Sequence, residues 1–130
     1  MNQIINVDVY NQDVMIHFGA IEALASILHK YMKQNLIDET VAELKDTTLG
    51  RTLYKNEYGV FIVYMPEKPE DALGWGSLIH ELSHVTNGIM EKAGIPFSHD
   101  TEEAYTYLLG FLAKQVIEKF SISFLWKPSF

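Results

Sequence analysis

The chain has 130 residues, 48% of them hydrophobic and 21% charged, enough for one folded domain and too apolar for a disordered segment. The formal net charge of -7 comes from 17 acidic and 10 basic residues with no lysine or arginine cluster, which argues against a nucleic-acid partner. Cysteine is absent, so disulfides, thiolate chemistry and cysteine-based zinc sites are excluded, and any metal must be held by His, Asp or Glu.

Residues 1–130 show no repeat, low-complexity tract or linker, and a single domain is expected. The opening stretch MNQIINVDVYNQDV lacks the basic region and apolar run of a signal peptide. No window approaches the roughly 18 apolar residues of a membrane span. A cytoplasmic protein without a membrane partner is expected.

Ile5, Val7 and Val9, then Val14, Ile16 and Phe18, alternate with other residues across an NQD turn signal, which predicts a β-hairpin. From Ala20 to about Lys33, Ile21, Leu24, Ala25, Leu28, Tyr31 and Met32 recur at helical spacing. LGRTLYKNEYGVFIVYMP then reads as two strands about a polar turn. The second, Val60 to Met65, is apolar on both faces, as in a strand covered on both sides or an edge onto which something docks. Beyond Pro66 and Pro69 a long helix is predicted from about Glu70 to Ala93, closed by Gly94 as a C′ residue. A last helix is predicted from near SHDTEE to about Phe120, followed by an aromatic tail, SFLWKPSF, expected to pack on the domain or on a neighbouring subunit.

The stretch SLIHELSHVTNGI carries the chemistry. Residues i and i+4 share a helix face one turn apart, so the imidazoles of His80 and His84 can reach one ion. Glu81, rotated about 100° around the axis, can stand beside the metal without binding it and serve as base for a zinc-bound water. Catalytic zinc keeps three protein ligands, and Glu102 and Glu103, at the start of the next helix, are candidates for the third.

HELSH followed within about twenty residues by a helix-borne glutamate resembles the gluzincin branch of zinc metallopeptidases. More narrowly, HELSH and EEAYTYLLGFL are similar to small HExxH proteins of phage and prophage genomes, over residues 75–113. The resemblance implies an α+β, minimal zincin-like fold: a small antiparallel or mixed sheet packed on three helices, with HExxH on the middle one. It also implies an edge strand that pairs with extended substrate, a role expected of Val60 to Met65. Carried over, it makes His80, His84 and Glu103 the Zn2+ ligands and Glu81 the general base. Glu103 is preferred to Glu102 because the similar sequences share a glutamate four positions before a tyrosine, here Tyr107. Tyr107 stands where gluzincins often carry a carboxylate, and could support a ligand or donate to an oxyanion. Gly110, one turn on, would let the motif helix approach closely.

The implied activity is zinc-dependent hydrolysis of a peptide or protein substrate. The alternative is a zincin-like domain whose zinc is structural, acting as a binding or assembly protein in a phage-derived particle; a metal-free α+β protein is a third expectation. Other residues have plainer readings too. With Asp100 as N-cap, Glu103 would stand at N3 of a capping box. Tyr105, Tyr107 and Phe111 suit core or rim positions, and Trp75 suits a gap between helices. His99 is a reserve ligand, whereas His17 and His29 read as isolated structural or exposed residues.

Overall fold

The first hairpin forms where the alternation places it. In the computed structural model, which describes residues 1–55 and 59–120, β1 (Asn2–Val7) runs antiparallel to β2 (Gln12–Phe18), with Ile5 opposite Val14. The chain reverses through a short 3-10 turn, Asp8–Tyr10, and through Asn11 at φ 53°, a left-handed conformation that asparagine tolerates better than most residues. Val9 belongs to this turn and is exposed.

β2 pairs in parallel with β4 (Val60–Met65), and β3 (Arg51–Lys55) closes the sheet antiparallel to β4, giving the order β1-β2-β4-β3. This corrects the edge role expected of Val60 to Met65. Every residue of β4 is buried, because β2 and β3 flank it and helices cover both faces. A continuous apolar run is the mark of a strand covered on both faces. Among the described residues the edge beside the motif helix is β3.

A parallel pair needs a long crossover, and here it contains an additional helix. The expected helix from Ala20 stops early: α1 spans Ile21–Leu28, and α2 spans Gln34–Leu44. The described residues therefore form four helices, not three. The buried positions of α2 are Ile37, Thr40 and Leu44, with Asp38, Glu39 and Glu43 between them. Thr40 tolerates burial because its hydroxyl donates to the Leu36 carbonyl at 2.7 Å.

α3 (Ala72–Lys92) starts at Asp71, whose carboxylate accepts from the Gly74 amide at 2.8 Å. It ends in a Schellman motif: Gly94, at φ 75°, donates to the Glu91 carbonyl, and Ile95 donates to that of Met90, each at 3.0 Å. At Gly88 the helix lies so close to β4 that a Cβ would stand 2.5 Å from Phe61 Cε1. α4 (Glu102–Lys119) packs against α3 and β1.

The sheet is thus the middle layer of three. On one face Met15, Leu53 and Ile62 meet Leu24, Leu28 and Leu44 of α1 and α2. On the other, Ile16, Phe61 and Val63 meet Leu82 and Val85 of α3 and Leu112 of α4. The architecture is α+β with a small mixed sheet. Among the described residues no helix is long and apolar enough to cross a membrane. The polar turn between β3 and β4 and the aromatic tail lie outside the described residues.

Candidate metal centre

α3 divides its circumference between packing and chemistry. Leu78, Leu82, Val85 and Ile89 are buried against the sheet, which leaves His80 and His84 exposed on another side, one turn apart. Their Nε2 atoms stand 3.1 Å from each other, with the rings edge to face at 4.8 Å between centroids. Two nitrogens held 2.0–2.1 Å from one tetrahedral ion would be roughly 3.3 Å apart. The pair therefore fits a shared ion as well as it fits a hydrogen bond between two neutral imidazoles.

Glu81, next around the helix, turns inward toward β3 and is buried, with only 6% of its surface exposed. The Thr52 hydroxyl lies 2.8 Å from Glu81 Oε1 and 3.2 Å from its main-chain carbonyl. Oε2 stands 3.8 Å from His80 Nε2. Gly50 sits against the same side chain, where a Cβ would come within 3.1 Å of Glu81 Cγ and 3.2 Å of Met65 Cγ. Sequence reasoning missed both Gly50 and Thr52. One signal existed, since strand alternation puts Thr52 on the face of Tyr54, which packs with the α3 side of the core, and opposite to Leu53.

The first turn of α4 is arranged differently from expectation. Its N-cap is Thr101, not Asp100, so Glu103 is the second helical residue and the capping box does not form. The Thr101 hydroxyl is occupied elsewhere, donating to the Pro96 carbonyl at 2.7 Å and accepting from the Ser98 amide at 2.8 Å. Glu103, Tyr107, Gly110 and Lys114 share one face of α4, and all four are exposed, Tyr107 to 76%. Open space surrounds Gly110, so it provides no close approach to α3. Glu102 shares its face with Leu109 and Ala113, which pack against the core. Tyr107 lines a groove with Val9, Tyr10 and Phe111 on the β1 side. Among the described residues no three His, Asp or Glu side chains converge as a metal-holding group. The structure brings together His80, His84 and Glu81; Glu102 and Glu103 do not form a metal-holding group with them, and Tyr107 lines the groove on the β1 side.

His99 is exposed in the turn before α4, and His29 is exposed after α1. His17 is neither isolated nor exposed. Its ring is fully buried and stacks on Tyr64 at 6.1 Å, with Nε2 3.0 Å from the Ala20 carbonyl. That bond puts the proton on Nε2, and Nδ1 is left buried without a partner among the described residues. Burial holds its pKa below the ordinary 6.5, reinforced by the N-terminal charge and opposed by the Ala20 bond. Trp75 is partly buried and packs against the core cluster on the α3 side of the sheet.

Further along α3, Asn87 and Glu91 follow His84 by three and seven positions and so continue its face. They line a groove of about 780 Å³ with Ile95, Phe97 and Tyr105. Its wall is pinned, since the Tyr105 hydroxyl donates to the Ile95 carbonyl at 2.6 Å and Phe97 packs edge-on against the Tyr105 ring at 5.0 Å. Comparison with protein families, curated proteins and solved structures finds no match to this chain.

Proposed function

We propose that this chain is a zinc-dependent peptide hydrolase of the zincin-like type. The observation that carries the reading is the convergence of His80 and His84 at 3.1 Å between Nε2 atoms, with the buried Glu81 carboxylate 3.8 Å from His80. His80 and His84 would hold Zn2+; Glu102 and Glu103, which stand apart from them in this structure, are the candidates for a third ligand. When bound, zinc polarises a peptide carbonyl and makes a water molecule more acidic. Glu81 Oε2 would take a proton from the water as the water oxygen bonds to the peptide carbonyl carbon, and would deliver it to the amide nitrogen as the carbon–nitrogen bond breaks. β3, the sheet edge beside α3 among the described residues, would offer its outer main-chain groups to an extended peptide. The groove along Asn87 and Glu91 can receive a substrate side chain.

The resemblance names Glu103 as third ligand; Glu102, on the α4 face of the partly buried Leu109 and Ala113, is the alternative. Glu102→Gln and Glu103→Gln, compared by zinc titration, separate the two: the ligand's variant loses affinity on the order of 10-fold or more, and the other does not. If neither loses affinity, α4 supplies no ligand.

Glu81→Gln tests the function. It should keep one zinc per chain and lower peptide hydrolysis by about 100-fold or more. Wild-type turnover in that variant would sink the mechanism. A second reading, a structural zinc in a binding or assembly protein, draws support from the exposed Val9, Tyr107 and Phe111 around one groove. It predicts zinc in the wild type without any hydrolysis.

A further inference from the structure

Glu81 is the one buried carboxylate among the described residues, and burial of an acid calls for a donor. The Thr52 hydroxyl has a single proton and two acceptors in range, Oε1 at 2.8 Å and the Glu81 carbonyl at 3.2 Å. That carbonyl already faces an amide one turn on within α3, so the proton goes to Oε1. Oε1 is thereby tied to β3, and Oε2 is the oxygen left on the histidine side. Gly50 contributes separately: a side chain there would press on Glu81 Cγ.

We infer that Thr52, with the space left by Gly50, is a positioning residue for the base of the proposed metallopeptidase. It anchors Oε1, presents Oε2, and keeps the carboxylate from swinging onto the metal as an additional ligand. The inference rests on the metallopeptidase reading. It links the strand that would bind substrate to the group that would move the proton.

The test compares wild type, Thr52→Ser, Thr52→Val and Gly50→Ala, each loaded with Co2+ in place of zinc. Visible absorption reads the coordination number, because four-coordinate Co2+ absorbs much more strongly than five- or six-coordinate Co2+. Turnover is measured with zinc on the best-cleaved member of an internally quenched peptide library. Thr52→Ser should match wild type in spectrum and rate. Thr52→Val should lose band intensity, with kcat lower by on the order of 10- to 100-fold and KM changed by less than about 2-fold. Gly50→Ala should move both readouts the same way. If valine at 52 unfolds the domain, Thr52→Ala, which adds no bulk, carries the same expectation.

A Thr52→Val or Thr52→Ala protein with wild-type spectrum and kcat overturns the inference and leaves the metallopeptidase reading intact. A wild type that binds neither Zn2+ nor Co2+ overturns both. Should metal bind without turnover in the wild type, the metallopeptidase reading falls and the spectra decide whether Thr52 restrains Glu81.

Discussion

On one face of the sheet, α1 and α2 cover Met15, Leu53 and Ile62 with side chains whose work is packing. On the other, α3 covers Ile16, Phe61 and Val63 with Leu82 and Val85 while presenting His80 and His84 outward from the same two turns. Helical spacing makes this division possible, because residues about 100° apart around the axis meet different surroundings. The packing face can weaken without moving the histidines, whereas any shift of α3 moves packing and site together.

Core truncations on the two faces should break or sharpen that contrast most strongly. Leu28→Ala and Leu82→Ala, both at fully buried leucines, should each lose about 2–5 kcal/mol in urea denaturation. Leu28→Ala should keep the zinc affinity of the wild type in its folded fraction, and Leu82→Ala should bind zinc more weakly. Equal affinity in the two variants would show that the seating of α3 does not control the histidine pair.

Zinc linkage gives the next effect in size. Zinc at about 100 times its dissociation constant should add ~2.7 kcal/mol to the stability of the wild type and nothing to His84→Ala. In metal-free buffer His84→Ala, at an exposed position, should stay within about 0.5 kcal/mol of wild type.

The α1/α2 face has a pH dependence of its own through His17. Burial lowers the folded-state pKa below 6.5, so above pH 6.5 both folded and unfolded chains carry a neutral ring and the full stability is present. As pH falls below 6.5 the unfolded chain takes up the proton first, and stability is lost until the folded pKa is reached. His17→Leu should flatten this part of the stability curve in denaturation at stepped pH. An unchanged slope would assign the acid sensitivity to other groups. The smallest effect is expected at Tyr107→Phe, which removes a hydroxyl from an exposed ring: within about 0.5 kcal/mol in stability, with unchanged zinc affinity. A large loss of affinity there would return Tyr107 to the site.

How much of this was legible in the sequence depends on how local each cause was. The first hairpin follows from alternation, and α3 follows from its apolar spacing with Gly94 at its end, which together place His80 and His84 on one helix face. α2 escaped notice because one of its three buried positions is Thr40, whose polarity is masked by a bond formed only within the helix. The interior place of β4 depends on β2, some forty residues earlier in the chain, and the run VFIVYM fits an edge or a centre until that pairing is known. Gly50 and Thr52 acquire a role only once α3 docks beside β3. The start of α4 shifted by one residue because the loop engages the Thr101 hydroxyl, and that single step moves Glu103 off the capping position.

Metal content of protein purified without added metal tests the central claim most directly, measured by elemental analysis on wild type and His84→Ala side by side. The account predicts close to one zinc per chain in the wild type and loss of most of it in the variant. Metal-free wild type, or zinc retained equally by both proteins, would contradict it.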